Sequence, residues 1–158
     1  MRNLTRALSR VRAVGMVIGL MVVCASAVSY NDFSDRGEIV NKDAVSMLTT
    51  LGIIEGKPDG SYAPTEGVDR AQMAKMISTI KNNGSDNGAL YENVYSGLTD
   101  IVNHWAKGHI NYCYTTGIIA GRGNGIFDPN AGVTGTEAAK MLLVAIGYDP
   151  PPEDPVGT

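Results

Sequence analysis

Gly52-Ile53-Ile54-Glu55-Gly56-Lys57-Pro58-Asp59-Gly60-Ser61-Tyr62-Ala63-Pro64 returns 65 positions later as Gly117-Ile118-Ile119-Ala120-Gly121-Arg122-Gly123-Asn124-Gly125-Ile126-Phe127-Asp128-Pro129. Extended in both directions without a gap, the offset lays Phe33–Ile77 on Leu98–Leu142. Asp35 then falls on Asp100, Lys42 on Lys107, Thr50 on Thr115, Gly67-Val68 on Gly132-Val133, and Ala74-Lys75-Met76 on Ala139-Lys140-Met141. That is about 14 identities in about 45 positions, where composition alone gives about three. The chain is a tandem repeat.

Each copy reads as helix, glycine-punctuated loop, helix. Ala44, Leu48 and Leu51 recur at helical spacing and Gly52 stands where a helix stops; Trp105, His109, Tyr112 or Cys113, and Thr116 do the same before Gly117. Pro58-Asp59-Gly60 and Asn124-Gly125 are turn sequences, because Asp or Asn bonds its own backbone and Gly accepts positive φ. A second helix begins after Asp69 or Thr134. Thr134 with Glu137 forms a capping box, and Asp69 with Gln72 is its variant. Apolar stripes follow: Met73, Ile77 and Ile80 in one copy, and Ala138, Met141, Leu142 and Ala145 in the other. The fold class expected is therefore all-α. The repeats run over 33–81 and 98–148, with an Asn-, Gly- and Ser-rich linker over 82–97 and a proline-rich spacer over 149–158.

Ahead of the repeats, Arg2, Arg6, Arg10 and Arg12 precede an apolar run from Ala13 to Val23, closed by Ala25-Ser26-Ala27. This is the pattern of a secretory signal peptide over 1–27, and the run is shorter than the roughly 20 residues that span a membrane. Cleavage after Ala27 leaves a chain without a membrane segment and with one cysteine, Cys113, so no internal disulfide forms. The full chain carries 13 Lys+Arg against 16 Asp+Glu; losing the four leader arginines takes the net charge from -3 to about -7. Charged residues are only 18% of the 158, which disfavours a disordered tail, a coiled coil and a nucleic-acid binder.

The ordered motifs resemble those of the S-layer homology repeat. Phe33-Ser34-Asp35, Gly52-Ile53-Ile54-Glu55-Gly56, Asp59-Gly60-Ser61-Tyr62-Ala63-Pro64 and Val68-Asp69-Arg70-Ala71-Gln72 form one set. Leu98-Thr99-Asp100, His104-Trp105-Ala106-Lys107, Gly117-Ile118-Ile119-Ala120-Gly121, Gly125-Ile126-Phe127-Asp128-Pro129 and Val133-Thr134-Gly135-Thr136-Glu137 form the second. The resemblance implies helical repeats that commonly pack in threes about a pseudo-threefold axis and bind a secondary cell-wall polysaccharide, often a pyruvylated one. It implies a secreted, non-enzymatic anchor on a bacterial cell wall or S-layer surface. Two departures stand out. Only two repeats are visible, so a third is supplied in cis, supplied in trans, or absent. Gly135 also stands where the first copy has Arg70, and Ile39-Val40 stands opposite His104-Trp105. An assembly role for the repeats, and an anchoring role within a longer enzyme, are the alternatives.

Candidate binding residues follow from the same positions. A helix N-terminus offers backbone N–H groups and partial positive charge, and Arg70 adds a planar donor fork suited to a carboxylate. The plainer reading pairs Arg70 with Glu66 or Asp69 on the surface. Gly56 and Gly60 would let a sugar approach the backbone. In the second copy Arg122 or Lys140 would replace the missing arginine. The candidate set is thus Arg70, Asp69, Gln72, Gly56, Gly60, Trp105, Arg122, Thr134 and Glu137. Trp105 is read as core or groove wall, although aromatic rings also stack on sugars.

Chemistry is poorly represented. His109 and Cys113 lie four apart, on one helical face, but have no second pair to complete a zinc site, and a core role suits both. His104 diverges from that face. Glu55 to Glu66 imitates a calcium loop, yet Lys57 and its counterpart Arg122 occupy a liganding position. Neither a metal nor a cofactor is expected.

Overall fold

The computed structural model describes residues 28–148; the expected signal peptide and the proline-rich tail lie outside them. Among the described residues five α-helices occur: α1 Lys42–Thr50, α2 Arg70–Lys81, α3 Gly88–Tyr91, α4 Lys107–Thr115 and α5 Gly135–Ala145, with short 3-10 turns at Tyr30–Asp32 and Arg36–Glu38. Extended pairing among the described residues is limited to the isolated bridges Asp69↔Gly132 and Gly123↔Ile126. The fold is all-α. None of the described helices is long and apolar enough to cross a membrane.

The two copies use the same local devices. Both capping boxes form: Asp69 and Gln72 exchange side-chain and backbone bonds at α2, and Thr134 and Glu137 do so at α5. α1 and α4 end at Gly52 (φ 70) and Gly117 (φ 74). There Ile53 N donates to Leu48 O at 2.9 Å and Ile118 N to Cys113 O at 2.9 Å, satisfying carbonyls the helix leaves open. Asp35 accepts from the backbone N–H groups of Tyr62 (2.9 Å) and Ala63 (2.7 Å). Asp100 accepts from Phe127 (3.0 Å) and Asp128 (2.7 Å) in the same way. Each aspartate ties the entrance of its repeat to the far side of the loop. It thereby holds Ala63 (φ 58) and Asp128 (φ 63) in the left-handed region, which is unfavourable for residues with a Cβ.

The core does not divide equally. Phe33, Ile39 and Val45 form a small cluster within the first copy. The main cluster joins Ala71, Met73, Ala74 and Ile77 of α2 to Ile101, Ala106, Ile110, Cys113, Ile118, Ile119, Phe127, Met141 and Ala145 of the second copy. The second helix of repeat one is thus built into repeat two. Each fully buried isoleucine there contributes about 2 kcal/mol of hydrophobic stabilisation, and the first copy has few such residues.

The helix faces differ in detail from the sequence reading. α1 buries Val45 and Thr49, while Ala44 is exposed and Leu51 is half-exposed. Trp105 is 60% exposed and precedes α4, so it is neither core nor part of the helix. Its ring lies beside that of His104, with centroids 5.7 Å apart. Helical spacing misleads at Trp105 because the chain still turns there, Lys107 N donating to His104 O. The 82–97 segment is not loose throughout: α3 lies within it and packs on α4 where Gly88 meets Gly108. A Cβ on Gly108 would stand 1.9 Å from Gly88 O.

Candidate functional site

Where α2 enters the second copy, a cleft of about 570 Å³ opens between the 117–122 loop and α5. Arg70, Gly121, Arg122, Glu137, Lys140 and Tyr148 line it over an apolar floor that includes Ile118, Met141 and Val144. The first repeat contributes Arg70; the other lining residues belong to the second.

Arg70 is only 3% exposed. Its Nε donates to Phe127 O at 2.9 Å, its Nη2 to Ala120 O at 2.6 Å, and the guanidinium lies 4.5 Å from the centre of the Phe127 ring. Burial, and after it the charge of Arg122, lowers its pKa from the usual arginine range, against Glu137, Asp128 and Asp100; the group stays a cation at any physiological pH. Arg70 therefore clamps the two repeats together while forming one wall of the cleft. Surface pairing with Glu66 or Asp69 does not occur. Glu66 pairs with Lys57, and Asp69 caps α2.

The N-terminus of α2 is also committed. Arg70 N donates to Ala131 O (3.0 Å), Ala71 N to Pro129 O (2.9 Å) and Gln72 N to Asp69 Oδ1 (2.7 Å). The backbone groups expected to meet an anion there instead hold the second repeat's loop, and Val133 N returns a bond to Val68 O at 2.8 Å. At α5, Gly135 and Thr136 are exposed, and no loop of the described residues covers them.

Arg122 crosses the cleft to Glu137, Nη1 to Oε1 at 3.1 Å. Glu137 also accepts from Thr134 N at 3.0 Å, and this backbone bond, then the Thr134 hydroxyl, lowers its pKa below the usual 4.5; Arg122 acts in the same direction and burial opposes. The carboxylate is thus ionised at neutral pH. Arg70, Arg122 and Lys140 face this single acid in the lining, giving a positive cleft on an acidic chain.

The other candidates are placed elsewhere. Asp69, Gln72 and Thr134 act as caps. A Cβ at Gly56 would meet the Phe33 ring at 2.4 Å, so that glycine serves internal packing; Gly60 (φ 81) makes a turn whose carbonyl accepts from Ser34 N. Trp105 does not line the cleft. Gly121, the counterpart of Gly56, does line it, as does Tyr148, which the repeat pattern does not single out. In the first copy Lys57 pairs with Glu66, and Lys75 with Glu55 at 2.6 Å. These same pairs occupy both terminal carboxylates of the calcium-like stretch. Cys113 is buried and its thiol pKa is pushed up to about 12, unlike that of a metal-binding thiolate. Among the described residues no three His, Cys, Asp or Glu converge as a metal site.

Fold and cleft together define a tandem helical repeat module with a cationic cleft at the seam between its repeats. The family model of the S-layer homology domain matches residues 32–74 and 97–139, and the chain belongs to this family. It is 31% identical over 150 residues to a cell surface protein of Thermoanaerobacter kivui, covering 94% of this chain and 19% of that protein. It is 34% identical over 104 residues to an S-layer protein of Bacillus licheniformis, covering 66% of this chain and 11% of that protein. An exoglucanase of Acetivibrio thermocellus is 30% identical over 125 residues, 78% of this chain and 10% of the enzyme. The chain thus spans a fifth or less of the length of these relatives. It is a secreted, cell-surface anchoring module of a bacterial cell wall.

Proposed function

We propose that the chain anchors by binding an acidic secondary cell-wall polysaccharide, of the pyruvylated kind, in the cleft between its repeats. The observation that carries this reading is the convergence of Arg70, Arg122 and Lys140 over Ile118, Met141 and Val144. A carboxylate meets the cations, and the methyl or ring face of an acidic sugar meets the apolar floor; charge-assisted bonds in such a cleft are stronger than neutral ones. Arg122 exchanges its Glu137 partner for the ligand or bridges both. Because the exported chain is acidic overall, attraction of an anionic polymer is local to this cleft.

The test is sedimentation of the chain with purified envelope, intact or stripped of its polysaccharide. Intact walls retain the chain and stripped walls release it; equal retention by both contradicts the reading. Arg122→Ala with Lys140→Ala is the informative variant, since Arg70→Ala also removes a structural clamp.

A second reading, a packing site for a third repeat in cis or in trans, is favoured by the uncovered N-terminus of α5 and the exposed Leu142, Leu143 and Ile146 beyond it. The corresponding end of α2 is capped by the neighbouring loop. Size measurement on mixing with a separate repeat tests this, and no change in size argues against it.

A further inference from the structure

One buried ionisable group plays no part in the cleft. His109, 6% exposed, sits on α4 at the seam between the repeats, and its counterpart in the first copy, Ala44, is exposed. Nδ1 lies 2.7 Å from Ser78 Oγ of α2, and Nε2 lies 3.4 Å from Asp86 Oδ1 in the connecting segment. Asp86 Oδ1 also accepts from Gly88 N at 2.8 Å, at the start of α3. The ring packs against Gly88, where an added Cβ would stand 2.7 Å from Nε2. One imidazole thus ties together α2, the connecting segment and α4.

The chemistry of the partners sets the direction of this chain. The Asp86 carboxylate, 3.4 Å away, places the proton on the Nε2 that faces it, and Nδ1 of the neutral ring then accepts from the Ser78 hydroxyl. On protonation Nδ1 becomes a donor. Ser78 Oγ then accepts and turns its own hydrogen to Lys75 O, 2.9 Å away. Hydrogen bonding survives, but the charge is now enclosed. The charged groups acting on the ring are Asp86 and Glu92 from the connecting segment, Lys75 of α2 and the Glu55 paired with it. On α4 itself Lys107 lies 3.9 Å from Glu92.

We propose that His109 is a proton-sensitive lock on the joint between the two repeats: the neutral ring, bonded to Ser78 and packed on Gly88, fits the closed seam, and enclosing a charge there loosens it. Burial lowers the imidazole pKa from its ordinary 6.5, with Lys75 acting the same way and Asp86 chief among the opposing acids. Below the ordinary value the opened joint therefore binds more protons than the closed one. The lock is complete above about pH 6.5 and is lost as the pH falls through the lower, closed-state value. Because α2 also carries Arg70, loosening this joint disturbs one wall of the cleft.

Two measurements decide the matter. Imidazole ¹⁵N shifts of His109 in the unmodified chain should show the Nε2–H tautomer at pH 8 and titration below 6.5; an Nδ1–H tautomer, or titration at or above 6.5, overturns the proposal. Hydrogen exchange at Gly88 and along α4 should show opening that grows by up to about tenfold per pH unit within the window. His109→Gln, which keeps a polar side chain, should abolish that dependence between pH 7.5 and 5. Persistence of the same dependence in His109→Gln would also overturn it.

Discussion

The two repeats share their scaffolding and differ in what the scaffolding surrounds. Asp35 and Asp100 make the same loop clamp, Gly52 and Gly117 the same helix stop, and Asp69/Gln72 and Thr134/Glu137 the same cap. Yet the second copy has α2 packed into its core and Arg70 closing its cleft, whereas the first keeps a cluster of Phe33, Ile39 and Val45. Lys57 and Lys75 of the first copy pair with Glu66 and Glu55, and Arg122 of the second pairs with Glu137. Repetition supplies a frame, and a cationic cleft arises where one repeat completes the next. The module is therefore directional.

The largest expected asymmetry comes from Arg70 and its counterpart Gly135. Arg70→Ala leaves Phe127 O and Ala120 O without their donors and opens a void over the Phe127 ring, a loss of about 3 kcal/mol in urea denaturation. Gly135→Ala, at an exposed position, changes stability by less than about 0.5 kcal/mol. Equal losses would break the contrast.

Next in size is Gly108→Ala, which drives a Cβ into Gly88 O and should cost about 2 kcal/mol in thermal unfolding. The matched Asp43→Ala, on the exposed face of α1, should be nearly neutral.

A smaller effect concerns the loop clamp and pH. Backbone bonding from Tyr62, then from Ala63, lowers the Asp35 pKa below 3.8, with burial opposing. A depressed acid stabilises the fold above its unfolded value and loses that contribution as pH falls through the folded value. Asp35→Asn should therefore flatten the acid side of the stability curve below about pH 4 while leaving its shape at neutral pH unchanged. Circular dichroism across an acid titration checks this.

The smallest effect is at Trp105 and Val40, paired by register and both exposed. Alanine at either should shift stability by less than about 0.5 kcal/mol. Because Trp105 lies outside the cleft, Trp105→Ala should leave sedimentation with envelope unchanged.

Much of this organisation is written in the chain. The offset linking Gly52 to Gly117 and the capping residues establish helix order because those signals are local. Arg70 was legible as special but not in its use, since Ala120 O and Phe127 O lie some 50 residues away and only packing brings them to it. Gly56 and Gly121 read alike, yet the former packs beneath Phe33 and the latter lines the cleft. Trp105 misled because an aromatic residue at helical spacing looks like core, while the backbone turns before the helix begins. Tyr148 carried no motif at all.

The most direct measurement compares charge-matched pairs in the two halves. Binding to purified acidic wall polysaccharide should fall at least about tenfold, a change of about 1.4 kcal/mol, in Arg122→Ala with Lys140→Ala. It should change less than about twofold in Lys57→Ala with Lys75→Ala. Equal losses in the two pairs, or a larger loss in the first repeat, would contradict the assignment of binding to the cleft that Arg70 closes.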